Sequence, residues 1–274
     1  MASIRDKHVL RLNVSEKRLP HVLQDPVKRF VDRLTGFQKF NSVYSELPLC
    51  AAADFSRSFL DALRVRIELT GEPPKTIPAN GALIVVANHP LGMIDVMALD
   101  ALLNSARPDV AVMAVYLFAS IPEYRDRFIF VGPRGNRRKR KYSVRGWRQS
   151  FRWIARGGVL IVFPASRIAR FQWRTLTVAD EPWSRHIAAL ARRTGAPVLP
   201  IHLDGGSSWG SQLAGIVFPL LQDLRALGNI TRHRDRTLHA VVGRVIPPGD
   251  LARFDTDEEA TAFLRKETEM LARL

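Results

Sequence analysis

The chain has 274 residues, 46% hydrophobic and 24% charged, with a single cysteine, Cys50. That length can bury a sizeable core as one large domain or two small ones, and one cysteine excludes an intramolecular disulfide framework or a zinc site built on several thiolates. Lys and Arg number 41 against 26 Asp and Glu, a net charge of +15 that points to a polyanionic partner: nucleic acid, an anionic membrane surface, or an acidic carrier or phosphate-bearing cosubstrate.

The N-terminal MASIRDKHVLRLNVSEKRLP alternates charged and apolar residues without an apolar h-region, so it does not read as a signal peptide. The first fifty residues are helical in part (Val27, Phe30, Val31, Leu34) and read as a lead-in, residues 1–50, to one domain over residues 51–274. Short apolar runs then predict strands at Ala82–Ala87, Val110–Ala114, Val159–Phe163, Val198–Leu203 and Leu238–Ile246. A further apolar strand, Phe128–Val131, precedes Gly132. Near-continuous apolar strands alternating with helices predict an α/β fold, a single domain with a mostly parallel central sheet flanked by helices.

Four helices have legible signals. One starts near Val96, after the first of these strands. In the second, Val144, Trp147, Phe151 and Ile154 form an apolar stripe, with Arg145, Arg148, Arg152 and Arg156 about 100° around the axis and Gly157–Gly158 as the stop. In the third, Trp183, Ile187, Leu190 and Ala191 follow Pro182 in the first turn, and Gly195 ends it. At the C-terminus Thr256 and Glu259 have capping-box spacing, with Phe263, Leu264, Leu271 and Leu274 as the apolar face. A long uncharged stretch, Gly205–Gln222, is rich in Gly and Ser and carries Pro219, so it fails the requirement for roughly 20 consecutive apolar residues. Membrane contact is therefore expected to be peripheral.

The positive charge is concentrated. Between Arg125 and Arg156 lie 12 basic residues and one acid, Asp126; the rest of the chain holds 29 basic and 25 acidic residues. The run GNRRKRKY sits within no helix-turn-helix, zinc-finger or RNA-recognition framework, so an anionic lipid surface or an acidic carrier protein is the expected partner, not nucleic acid.

Chemistry concentrates after the first strong strand, in Asn88-His89-Pro90-Leu91-Gly92-Met93-Ile94-Asp95. The carboxyl end of a strand in an open α/β sheet is where ligands bind. Histidine suits proton transfer near neutrality, and a carboxylate can fix its tautomer and stabilise its charged form. His89 and Asp95 are thus a candidate base and its orienter, against the plainer reading of a loop histidine and a helix-capping aspartate. Two other features compete. Gly206-Ser207-Ser208-Trp209-Gly210 matches the G-x-S-x-G nucleophile elbow, with Asp223 and His239 as the downstream acid and base, and would make a serine thioesterase or lipase. His202 and Asp204 flank a strand end but have no further ligands at metal spacing, so no metal site is expected.

The strand–Asn-His-Pro–helix segment resembles motif one of the glycerolipid acyltransferase superfamily, of the lysophosphatidic acid acyltransferase type. Three further segments are similar to its later motifs, in the same order: Gly132-Pro133-Arg134-Gly135-Asn136-Arg137 after an apolar strand, Phe163-Pro164-Ala165-Ser166-Arg167 in place of Phe-Pro-Glu-Gly, and Val198-Leu199-Pro200-Ile201. Two departures stand out. Five residues separate His89 from Asp95 where the superfamily usually has four, which on a continuous helix would turn Asp95 about 100° away. A loop at 89–94, favoured by Pro90 and Gly92, would let the pair meet. Ala165 replaces the motif-three glutamate. These departures, with Gly36–Tyr44, Glu181-Pro182-Trp183 and Ala191–Pro200, resemble a bacterial branch often labelled hemolysin, which includes lyso-ornithine-lipid O-acyltransferases.

The resemblance implies direct acyl transfer from acyl-carrier protein or coenzyme A to the hydroxyl of a lysolipid, lyso-ornithine lipid or a related aminolipid before lysophosphatidic acid. His89 and Asp95 would be catalytic. Arg134 or Arg137 would bind an anionic head group. Asn88, Gly132, Phe163, Pro164, Ser166, Arg167 and Pro200 would complete the substrate site, and backbone amides near Gly132 or Ser166 would be oxyanion donors. No cofactor beyond the thioester cosubstrate is implied. The protein would work in the cytoplasm, peripherally on the inner membrane face. The remaining alternative is a non-enzymatic protein that binds anionic membranes.

Overall fold

The computed structural model describes residues 9–10, 35–73, 76–132, 140–166, 169–172, 177–204 and 230–273. Its strands are β1 (Arg66–Gly71), β2 (Leu83–Ala87), β3 (Val110–Val115), β4 (Phe128–Val131), β5 (Val159–Val162), β6 (Arg170–Gln172), β7 (Thr177–Ala179), β8 (Val198–Leu203) and β9 (Thr237–Val242). Seven of them form one sheet in the order β1-β9-β8-β2-β5-β3-β4, while β6 and β7 make a separate antiparallel pair. Within the large sheet every pair is parallel except β8 with β9.

Helices cover both faces, and the period-2 alternation of the strands decides which residue meets which layer. Leu83, Val85 and Ala87 of β2 pack toward α1 (Phe37–Glu46), α2 (Phe55–Ala62) and α3 (Met93–Ala106). Ile84 and Val86 face the other layer, made by α4 (Arg140–Ala155), α5 (His186–Thr194), α6 (Pro248–Ala252) and α7 (Asp257–Met270). A strand buried on both sides needs no polar face, which is why β2 and β5 read as unbroken apolar runs. One buried polar cluster interrupts the first layer. The Asp100 carboxylate on α3 accepts from Ser56 Oγ (2.6 Å), Asn104 Nδ2 (2.8 Å) and Arg127 Nη2 (2.8 Å), locking α3 to α2 and to the approach to β4. Burial pushes the Asp100 carboxyl up, and Arg127 works against that shift.

Several boundaries differ from the sequence reading. α3 starts at Met93, three residues before Val96, because Gly92 takes a backbone conformation (φ 77, ψ −121) that turns the chain straight into the helix. α5 starts only at His186. Pro182 stays outside it because Trp183 Nε1 donates to Asp180 Oδ2 (3.0 Å) and Ser184 N–H donates to Pro164 O (3.0 Å), pinning this stretch across the sheet end. The run Leu238–Ile246 does not stay a strand: β9 stops at Val242, Gly243 packs on Pro200, and an isolated bridge from Ile246 to Val198 follows. Pro200 has no N–H to extend a ladder there, and its carbonyl takes the Gly243 N–H at 2.9 Å. In α4 the buried face runs Gly146, Ser150, Ile154, and Val144 is exposed (43%) instead of completing the apolar stripe. Any Cβ at Gly146 would lie 2.6 Å from Phe130 O, so the helix meets β4 on this glycine and its axis is rotated accordingly. The Thr256–Glu259 capping box forms with both reciprocal hydrogen bonds (3.2 and 3.1 Å). Val27, Phe30, Val31 and Leu34 lie outside the described residues.

Candidate active site

β8, β2 and β5 are parallel neighbours, so their carboxyl ends come out on one side of the sheet. That arrangement brings Asn88 and His89, the turn Phe163–Ser166, and Leu203 to one place from three distant parts of the chain. Asn88 anchors the junction: its Nδ2 donates to Leu203 O (2.8 Å) and its Oδ1 accepts from Leu203 N–H (2.7 Å). Both ends of the amide are occupied, so Asn88 ties β2 to β8 where the sequence suggested a substrate contact.

His89 and Asp95 meet. Nδ1 of the imidazole lies 3.0 Å from Asp95 Oδ2, and the same oxygen accepts the N–H groups of Leu91 (2.8 Å) and Gly92 (3.0 Å). The local sequence explains how five intervening residues allow this. Pro90 disfavours helix at His89, Gly92 starts α3, and Asp95 falls in its first turn, where a side chain points back toward the helix N-terminus and a carboxylate is favoured. The loop spans only residues 89–92, shorter than the 89–94 expected, because Met93 and Ile94 are already helical. A carboxylate only accepts, so Nδ1 is the nitrogen that carries the hydrogen, and in the neutral ring the lone pair is then on Nε2. The aspartate side chain is fully buried and the histidine is 14% exposed, which leaves the imidazole as the member of the pair that solvent or substrate reaches. Among the described residues Asp95 Oδ1 has no hydrogen-bond partner. His233, half-buried in the turn Ile230–His233, lies close enough to interact electrostatically with Asp95, and burial pushes its pKa down.

Phe163 is buried against the histidine, with ring centroids 4.3 Å apart and planes inclined by 31°, so it fixes the tilt of the imidazole. Pro164 is buried and presents its carbonyl to Ser184. Ala165 is buried in the apolar layer (1% exposed). Ser166 holds a left-handed backbone (φ 59), unusual for a residue with a Cβ and the conformation a glycine would take at this motif position. Its N–H closes a turn onto Phe163 O (3.0 Å), so it is not a free oxyanion donor. Pro200 is buried inside β8, paired with Val86 and three residues before the carboxyl end of its own strand. Gly132 follows β4, three strands from β2, about 14 Å at the usual inter-strand spacing. Arg134, Arg137, Arg167, Ser208 and Asp223 lie outside the described residues. His239 is in β9, paired with Glu68 at 3.2 Å.

Sequence reasoning missed Asp180. It is buried (6% exposed), its Oδ1 accepts the His89 N–H (3.2 Å), and burial pushes its carboxyl up. A lone Asp before Glu-Pro-Trp carries no spacing relation to His89 that a linear reading could detect. Among the described residues no group of three His, Cys, Asp or Glu could hold a metal ion, and no helix is long and apolar enough to cross a membrane.

Residues 66–204, half of the chain, match the family described as Acyltransferase. Among solved structures the chain is similar to the crystal structure of the 1-acyl-sn-glycerophosphate (LPA) acyltransferase PlsC from Thermotoga maritima, with a TM-score of 0.54 and 17% identity over 89% of this chain and 87% of that one. At that identity the likeness is one of fold. Comparison with curated proteins gives no match.

Proposed function

The chain belongs to the acyltransferase family, whose members transfer acyl groups, and from that premise we propose that it moves a fatty acyl group from a thioester to the hydroxyl of a lysolipid, with His89 as base. The observation that carries this reading is the His89–Asp95 pair: a buried carboxylate on Nδ1 at 3.0 Å and a partly exposed ring whose Nε2 is not engaged by that carboxylate. Nε2 takes the proton from the acceptor hydroxyl as that oxygen attacks the thioester carbonyl. Asp95 stabilises the resulting imidazolium and keeps the ring in register. When the tetrahedral adduct collapses, the C–S bond breaks and the thiolate leaves with the proton from Nε2. An ester and a free thiol result, with no covalent enzyme intermediate.

The donor in this reading is acyl-carrier protein or coenzyme A. The acceptor is lyso-ornithine lipid or a related aminolipid, ahead of lysophosphatidic acid. Two features support that order: the motif-three glutamate is replaced by Ala165, and that residue packs in an apolar layer. The protein would act peripherally at the inner face of a membrane, and the exposed Arg145, Arg148, Arg152 and Arg156 along α4 suit an anionic lipid surface or an acidic carrier.

The test compares purified wild type, His89→Ala, Asp95→Asn and Ser208→Ala with a lysolipid panel and both thioester donors. We expect His89→Ala to lose roughly 10²–10⁴-fold in turnover, the usual contribution of a general base. Asp95→Asn should fall as well, and Ser208→Ala should keep its activity. Full activity in His89→Ala with loss in Ser208→Ala would replace this reading with a serine thioesterase or lipase. Lipid binding with no turnover on any acceptor would leave only a membrane-binding role.

A further inference from the structure

The main chain of His89 is held on both sides by the segment that follows β5. Its carbonyl accepts from Ala169 N–H at 2.9 Å, and its N–H donates to Asp180 Oδ1 at 3.2 Å, across 91 residues of sequence. The next residue, Pro90, has no N–H to add to these, and the neighbouring main-chain ties run elsewhere, from Leu91 and Gly92 to Asp95. The second Asp180 oxygen accepts Trp183 Nε1–H at 3.0 Å, and its main-chain carbonyl accepts from Arg265 Nη2 on α7 at 3.2 Å. We propose that Asp180 is a positioning residue for the reaction: it holds the Cα of His89 in place while Asp95 holds its ring. This inference rests on the acyl-transfer reading above.

The donors facing Asp180 explain why a carboxylate stands there. A peptide N–H and an indole N–H point at one buried side chain from two directions, and neither can accept. A side chain satisfying both must accept at both ends. A carboxylate does so, whereas Asn or Gln offers one acceptor end and one donor end. Keeping a charge in a site with 6% exposure is costly, and burial does push this carboxyl up; the Trp183 and His89 hydrogen bonds and the His89 charge oppose that shift. The same negative charge lies within electrostatic reach of the imidazole, so it favours the imidazolium formed when Nε2 takes the proton. Asp180 thereby also gives the Glu181-Pro182-Trp183 segment a role, because Trp183 fixes the carboxylate that fixes His89.

The experiment uses the full chain with Asp180→Ala and Asp180→Asn. Steady-state kinetics would be run on the best donor–acceptor pair, and hydrogen–deuterium exchange followed on peptides covering residues 86–93. A positioning role predicts that Asp180→Ala lowers kcat about 10- to 100-fold, the range for losing a hydrogen bond to a charged group, with each KM within about twofold. Asp180→Asn should fall between Ala and wild type. Exchange in the 86–93 peptides should rise in Asp180→Ala while exchange in α7 stays as in wild type. A kcat unchanged per folded molecule, or a rise in exchange spread evenly over the protein, would overturn the proposal. If wild type transfers no acyl group to any acceptor, the acyl-transfer reading falls, and the local exchange still decides whether Asp180 holds His89. Should Asp180→Ala fail to fold, Asp180→Asn carries the same two measurements.

Discussion

Gly92 decides whether His89 and Asp95 can meet. With φ 77 and ψ −121 it occupies backbone space that a residue with a Cβ enters only at a cost, and from there Met93 starts α3 with Asp95 in the first turn. The extra residue between His and Asp is absorbed in that one tight corner, and the amide of Gly92 itself donates to Asp95 Oδ2 at 3.0 Å. Gly92→Ala should therefore destabilise the protein by roughly 1–3 kcal/mol, read by urea denaturation, and should lower turnover more than the folded fraction explains. Unchanged stability and activity would mean that the corner can be rebuilt without glycine. At this scale the residue types of the site and the His89–Asp95 pairing were legible, and the other partners were not. Asn88 and Phe163 stand out in sequence as motif members. That Asn88 pairs with Leu203 and that Phe163 stacks on His89 depends on which strands are neighbours.

At the scale of elements, α4 shows why periodicity alone misplaces a helix face. The apolar stripe Val144, Trp147, Phe151, Ile154 is real as a pattern, yet the helix rests on β4 through Gly146, the position with no side chain to hold it off. This rotation leaves Arg145, Arg148, Arg152 and Arg156 exposed over roughly 16 Å of helix, at 1.5 Å per residue. None of the four forms an ion pair among the described residues. No Asp or Glu occurs between Asp126 and Asp180, so no carboxylate nearby in sequence is available to neutralise them. Replacing these four arginines with Gln should weaken binding to anionic vesicles and to acidic carrier protein by up to about 1 kcal/mol per residue at low salt, with the difference shrinking as salt rises. Cosedimentation and titration at two ionic strengths would measure it; identical affinities for both ligands would make the stripe a solvated face.

At the scale of the whole molecule, burial sets how stability responds to pH. His202 and His233 both have pKa values pushed below the ordinary histidine value by burial. A group depressed in the folded state contributes stability that is complete above its unfolded value, about 6.5, and is lost as pH falls from there toward the folded value. Asp100 and Asp180 act in the opposite sense at lower pH, since burial pushes their carboxyls up and the folded state takes protons first. Denaturation midpoints should therefore drop between about pH 7.5 and 5, and His202→Gln should flatten part of that drop. An equally steep drop in His202→Gln would assign the acid sensitivity elsewhere.

Composition and pattern were enough to determine the α/β class, most of the strands and the C-terminal capping box, and to single out His89 and Asp95 as a pair that meets, because strand runs, caps and motif spacings are local in sequence. Tertiary structure alone decided the rest. Parallel pairing of β8, β2 and β5 gathers three separate loops at one sheet end. Gly146 rather than the apolar stripe sets the rotation of α4, and Asp180 reaches His89 across 91 residues. Such contacts carry no periodicity and no fixed spacing, since chain closure over long loops leaves register and neighbour choice to packing and to the pairing of buried donors with acceptors.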